Sequence, residues 1–313
     1  MYIFYFLLEI EQIINTFLKI KSLFNKMWYN LIKNLEEKMI TIKTLLENTG
    51  SRNRALAFEH GLSFFVTVDN KSYLFDCSSG DKFIKNARKM NIDLSKIDTI
   101  ICSHSHYDHS CGFLDLVDNF KIKKLITGKN YFDPKYSFDG MKYTYLGCGF
   151  NKDFLEDNGI EHIICDDVLE LQENVYLVGN FKRNYDFEKS PARFVVEKDG
   201  KIQIDDFRDE ISLVIKTDEG LVVVTGCSHP GILNILSTIK ERFGMDIWAV
   251  YGGTHLVEAS DERLARTLVE LKKLGVKLLG FSHCSGEKII EFIKNDKDFL
   301  SCSLNTGDEI KIF

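Results

Sequence analysis

Few folds can accommodate three histidines and an aspartate within six residues, and this chain carries them at His104, His106, Asp108 and His109. Histidine is seldom fully buried without a partner and aspartate almost never is, so the group makes poor core packing. Coordination of a metal satisfies all four at once. Borderline-soft dications take imidazole nitrogen and carboxylate oxygen readily, and two close ions can share one short ligand loop. The flanks fit that use. The apolar, β-branched run from Ile97 to Cys102 reads as a buried strand, and Gly112 opens a helical pattern. A strand, a ligand loop and a helix start are therefore expected in that order, holding one or two divalent ions. Zinc suits the donors first, with manganese, iron and nickel as alternatives.

Three later strand ends carry chemistry too. Leu221 to Thr225 runs into Gly226-Cys227-Ser228-His229-Pro230-Gly231, Asp246 to Tyr251 into Gly252-Gly253-Thr254-His255, and Val276 to Phe281 into His283-Cys284-Ser285-Gly286. Helical patterns are expected at 81–91, 112–119, 232–243, 261–274 and 287–294. Further strands are expected at 40–46, 121–127, 174–179 and 308–313, with hairpins pairing 60–68 to 71–76 and 211–215 to 221–225. Between 128 and 174 the pattern is weak and rich in aromatics, which predicts an irregular lid or binding insert, with His162 as a surface group.

The apolar opening from Met1 to Leu8 is too short to cross a bilayer, and it lacks the positive start and the small-residue cleavage site of a signal peptide. Residues 1–38 read as a helical extension, dispensable to a domain spanning 39–313. Contact with a membrane surface through Trp28 and the neighbouring lysines is the minor alternative. With 313 residues and 44% hydrophobic content, the chain can build one large core or two modest ones. A net charge of -6 leaves no basic face for nucleic acid. The eight cysteines form no Cys-x-x-Cys pair, so free thiols in a reducing cytoplasm are expected.

The run from His104 to His109 resembles the signature of the metallo-β-lactamase superfamily. That resemblance implies an α/β (α+β) chain folded as a four-layer αββα sandwich, with metals at one edge where the strands of two sheets end. It also implies that His104 and His106 hold a first metal, that Asp108, His109 and His283 hold a second, and that Asp76 supports the loop without binding metal. Many members supply a third histidine to the first metal from the loop that here runs from Asn180 to Glu188, which has none. His229 is expected to take that place. Many members also have a bridging aspartate where this chain has Cys227, which is then a ligand, a redox-active thiol or a small buried packing residue.

Three motifs, Thr225 to Ile232, Gly252 to Leu256 and Ser282 to Gly286, look like the branch of 7,8-dihydropterin-6-yl-methyl-4-(β-D-ribofuranosyl)aminobenzene 5′-phosphate synthases. A Gly-Glu-Ile-Pro-Arg-like segment of that branch is replaced by Gly179-Asn180-Phe181-Lys182-Arg183. The resemblance implies a metal-dependent hydrolase or transferase acting on a phosphorylated small molecule, the branch activity joining a dihydropterin diphosphate to an aminobenzene-ribose phosphate. Asp108 and His255 are the candidate catalytic groups, His255 as proton donor or substrate contact ahead of ligand. Arg183, whose planar fork suits phosphate, is either a substrate grip or a solvated surface residue. His60 is read as structural or substrate-side. The rival class is a metal-binding redox or sensing module, with Cys111, Cys227 and Cys284 as oxidisable thiols.

Overall fold

The central strands have no polar side to turn to water, so both of their faces must be covered. Ser212–Thr217 directs Leu213 and Ile215 to one side and Val214 to the other, and Gly220–Thr225 divides Val222 and Val224 from Leu221 and Val223 in the same way. Side chains alternate along a strand with a period of two, and a run that is apolar throughout therefore needs packing on both sides. The computed structural model, which describes residues 19–21, 23–28, 39–50 and 52–312, supplies it.

Among the described residues the strands form two seven-stranded sheets and one of four. The first sheet runs, in spatial order, Glu309–Ile312, Ile40–Leu46, Ser63–Val68, Lys71–Phe75, Thr99–Ile101, Lys124–Gly128 and Glu161–Cys165. The second runs Leu300–Ser303, Leu278–Phe281, Ile247–Gly252, Gly220–Thr225, Ser212–Thr217, Val175–Val178 and Val168–Gln172. Phe64, Val66 and Phe75 of the first meet Leu213, Val222 and Val224 of the second in the inner core. On the outer face of the first sheet Leu74 and Ile100 pack with Phe83, Phe113 and Leu116 from the Lys82–Lys89 and Gly112–Asn119 helices. On the outer face of the second, Val223 and Val250 pack with Leu236, Leu268 and Ile289 from the Ile232–Phe243, Asp261–Lys273 and Glu287–Ile293 helices. The result is the expected four-layer αββα sandwich.

Strand direction gathers the chemistry. Lys71–Phe75, Thr99–Ile101, Lys124–Gly128 and Glu161–Cys165 are parallel neighbours in one sheet, as are Gly220–Thr225, Ile247–Gly252, Leu278–Phe281 and Leu300–Ser303 in the other. Parallel strands end on one edge, where ligands of open α/β sheets are commonly bound. The corners at His104, His229, His255 and His283 all follow such ends.

The stretch from 128 to 174 is more regular than its sequence suggests. It contains Lys135–Phe138, Tyr143–Tyr145, the Lys152–Asp157 helix, Glu161–Cys165 and Val168–Gln172, and the first two join Phe194–Lys198 and Lys201–Ile204 in the four-stranded sheet. Tyr143–Tyr145 and Lys201–Ile204 are exposed at every position, so no alternation marks them. The wholly exposed strand Leu300–Ser303 escapes pattern reading for the same reason. In the N-terminal extension residues 19–21 and 23–28 are helical, with Leu23, Phe24 and Trp28 exposed, and the expectations for the rest of 1–38 lie outside the described residues. Among the described residues no helix is long and apolar enough to cross a membrane.

Candidate metal centre

His104 and His106 leave the Thr99–Ile101 strand, and His229 leaves Gly220–Thr225 in the opposite sheet. A ring nitrogen from each lies within 4.8 Å of the others. His104 Nε2, His106 Nε2 and both ring nitrogens of His229 are buried with no hydrogen-bond partner among the described residues. Leaving one such atom unsatisfied costs roughly 1–3 kcal/mol, so three converging imidazoles are arranged for something that accepts their lone pairs. Burial first, and nearby protonatable or cationic groups second, push all three well below the ordinary histidine range. They are neutral at physiological pH, the form a metal requires.

A second group adjoins them. His283 Nε2 lies 3.3 Å from Asp108 Oδ2 and 3.1 Å from His109 Nε2. His60, read from sequence as structural or substrate-side, places its Nε2 3.0 Å from the same Asp108 oxygen, with its side chain 59% exposed. Cys227 Sγ is 3.2 Å from His109 Nε2. The local field favours positive charge: burial disfavours a charged His109, yet Asp76 and Asp108 push it up to about 9. Burial would raise Asp108, but His109, His283 and His60 outweigh it and hold the carboxyl well below the usual range. Imidazoles and a carboxylate in such a field form a donor set suited to a borderline-soft dication.

The outer nitrogens of these rings are tied down. Asp76 Oδ2 faces His109 Nδ1 at 2.6 Å and accepts Ser103 Oγ at 2.8 Å, while its Oδ1 accepts the Ser103 N–H at 2.6 Å. Ser103 Oγ in turn lies 3.0 Å from His104 Nδ1, and Asn48 Oδ1 lies 2.9 Å from His283 Nδ1. A partner on Nδ1 fixes the tautomer and turns Nε2 to the centre. A Cβ on Gly226 would come within 2.0 Å of Ser103 Oγ, so only glycine lets the two corners approach this closely. Asp76, Phe207, Ser228, His255 and His283 all have positive φ, a cluster of left-handed non-glycine residues of the kind held at functional sites. Asp76→Asn is expected to weaken metal binding about 10- to 100-fold. Competition against a chromophoric chelator measures this, and unchanged affinity would show that Asp76 does not orient the site.

Behind the histidines lies a clamp formed by Lys135 and the acidic turn Asp205-Asp206-Phe207-Arg208-Asp209-Glu210. Lys135, 2% exposed, sits 2.9 Å from Asp205 Oδ2 and 2.5 Å from Asp209 Oδ1. Burial works against its charge, but Asp209 and Asp205 outweigh it and hold the ammonium above the ordinary lysine range. Asp209 Oδ2 accepts the Ser105 N–H at 2.9 Å, and Glu210 accepts the Ser228 and His229 N–H groups at 2.5 and 3.0 Å. Phe207 stacks on His229 with ring centroids 4.0 Å apart and planes 6° from parallel, and Lys135 Nζ lies 4.6 Å from the Phe207 centroid. The turn from 205 to 210 thus grips both histidine loops.

Other candidates lie elsewhere. Arg183 donates to the Phe181 and Asp206 carbonyls and, with Phe207 and Arg208, lines a cavity of about 130 Å³ beside the clamp. His162 faces Thr127 Oγ1 at 2.8 Å, and Cys111 donates to the Cys148 carbonyl. His255 is the candidate proton donor or substrate contact, ahead of ligand. The structure puts its ring 4.4 Å from that of His229 and a ring nitrogen within 4.8 Å of the Cys227 and Cys284 sulfurs.

Residues 56–283 match a family model described as the metallo-β-lactamase superfamily. A protein of Methanocaldococcus jannaschii named 7,8-dihydropterin-6-methyl-4-(beta-D-ribofuranosyl)-aminobenzene-5'-phosphate synthase is 34% identical over 262 residues, 80% of this chain and 88% of that one. An uncharacterized protein of the same organism is 28% identical over 260 residues, 83% of this chain and 96% of its own length. The crystal structure of Tm1679, a metal-dependent hydrolase of the beta-lactamase superfamily, matches with a TM-score of 0.75 and 32% identity, over 87% of this chain and 99% of that chain.

Proposed function

This chain belongs to the metallo-β-lactamase superfamily and is an enzyme, and from that premise we propose that it uses two divalent ions to act on a phosphorylated small molecule. One observation carries the reading: the unpartnered, buried nitrogens of His104, His106 and His229 converge beside a second group built on Asp108. His104, His106 and His229 would hold one ion, and Asp108, His109 and His283 the other, with His60 touching Asp108 from the exposed side. Zinc is the proposed metal, its preference for imidazole and carboxylate matching the donors. When bound, such ions polarise a substrate oxygen and lower the pKa of a water molecule.

The protein's own groups do the rest. Asp108, held ionised, can accept a proton from an incoming nucleophile. Phe194 and Phe207, with ring centroids 5.5 Å from that of His106, keep water from one flank. Arg183 and Arg208, at the cavity beside Phe207, are the proposed seat of the phosphate. All eight cysteines are free, which supports a reducing compartment, the cytoplasm.

For the specific reaction we follow the name of the archaeal relative: transfer of a dihydropterin group to an aminobenzene-ribose phosphate, expelling diphosphate. The test offers both substrates, and a panel of simple phosphoesters, to zinc-loaded protein. Expected are diphosphate release only when both substrates are present, and a KM for the ribose phosphate raised about tenfold by Arg183→Ala with kcat kept. Activity on a phosphoester alone would replace condensation by hydrolysis. No turnover on any phosphorylated compound would overturn the proposal.

A further inference from the structure

Three donors border the histidine centre: the Cys284 thiol and the His255 ring, which stand outside both ion groups, and Cys227, whose sulfur also lies within 4.8 Å of ring nitrogens of His104 and His109. They come from the corners after Gly220–Thr225, Ile247–Gly252 and Leu278–Phe281, successive parallel strands of one sheet. One donor atom from each lies within 4.8 Å of the other two. The corners are locked together. The Gly253 N–H donates to the Gly226 carbonyl at 3.0 Å, Ser228 Oγ donates to the Gly253 carbonyl at 2.7 Å, and the Thr254 N–H donates to Ser285 Oγ at 3.1 Å. A Cβ on Gly253 would lie 2.3 Å from the Gly226 carbonyl oxygen and 2.7 Å from Cys284 Sγ, so a side chain there would force the corners apart.

The polar bookkeeping points to a ligand. Both ring nitrogens of His255 are buried without a hydrogen-bond partner among the described residues, although neither belongs to the histidine trio. The left-handed backbone of His255, φ 51°, brings its N–H to Cys284 Sγ at 3.2 Å, so the sulfur already accepts a backbone hydrogen bond. Two sulfurs and an imidazole in a fixed arc suit a soft or borderline ion of d¹⁰ configuration and disfavour hard, oxygen-seeking cations.

We propose that Cys227, His255 and Cys284 form a third, sulfur-rich metal site for an ion such as zinc or copper(I), adjoining the two imidazole and carboxylate groups through Cys227. Zinc entering it displaces both thiol protons to solvent, leaving two thiolates and one neutral imidazole as ligands and a fourth position open. Cys227 Sγ, 3.2 Å from His109 Nε2, is the wall between this site and the catalytic one. The assignment does not depend on the proposed reaction.

Metal-stripped, fully reduced full-length protein is titrated with cobalt(II) alone, as a coloured stand-in for zinc. A sulfur-to-cobalt charge-transfer band is expected. Cys284→Ser should lower bound cobalt by about one ion per chain and remove about half of that band or more, while His106→Ala should lose an ion and keep the band. His255→Gln retains both thiols and should also lose an ion, so it carries the test if Cys284→Ser fails to fold by circular dichroism. The site is refuted if the wild-type protein shows no band. It is equally refuted if the folded variants at 255 and 284 leave stoichiometry and band unaltered, since the sulfur signal then belongs to Cys227 at the histidine centre. Failure of the enzymatic proposal reads out separately, as turnover that survives the loss of His106.

Discussion

His106→Ala is expected to bring turnover down to that of chelator-treated protein and to leave the chain about one ion short by elemental analysis. His106 supplies one of three buried nitrogens within 4.8 Å, and two imidazoles alone leave an ion under-coordinated. In metal-free protein the same nitrogen is an unsatisfied buried group, so its removal should cost little and recover part of roughly 1–3 kcal/mol. With zinc present the order reverses: an ion at about a thousand times its dissociation constant stabilises the folded wild type by about 4 kcal/mol, and the variant forgoes much of that. Urea denaturation with and without chelator reads the crossing. Equal stability of the two proteins in zinc, together with full turnover, would remove the metal from the mechanism.

Lys135→Met should be the most damaging change away from the histidines. It removes the one positive charge between Asp205 and Asp209, which are 4% and 1% exposed. Breaking a buried ion pair by deleting one partner typically costs about 3–5 kcal/mol, because the remaining charge is left uncompensated. Chemical denaturation measures the loss. Adding Asp205→Asn and Asp209→Asn to the methionine variant should return part of it, the uncompensated charges having gone. A loss below about 1 kcal/mol for Lys135→Met alone would mean that the carboxylates find water or protons cheaply. Because Asp209 also holds the Ser105 N–H and Phe207 lies against His229, the variant should bind metal more weakly even where it stays folded.

The sandwich was readable in the chain because its signals are local. Val222 and Val224 alternate with Leu221 and Val223, and turn residues bound each run. The corners were readable for the same reason: His104, His229, His255 and His283 each sit just past an apolar strand. The partners that orient them were not. Asn48 serves a histidine 235 residues away, Asp209 holds a backbone group 104 residues away, and Lys135 reaches Asp209 across 74. No periodicity carries such pairings, and an asparagine in a polar loop or an aspartate in an acidic turn looks like ordinary surface. The proximity of His255 to two sulfurs was likewise hidden, since it exists only once three strands lie side by side. The Tyr143–Tyr145 strand went unread because exposure at every position erases the pattern.

Strand order also dictates when this protein can become functional. The donors of the paired groups run from position 104 to position 283, and those beyond 226 come from the second sheet, so the first group waits for position 229 and the second for position 283 to leave the ribosome. An ion captured earlier meets only the His104 loop and is held loosely. Metal uptake should therefore be a late, sealing event in biogenesis, one that rewards completed chains over abandoned ones.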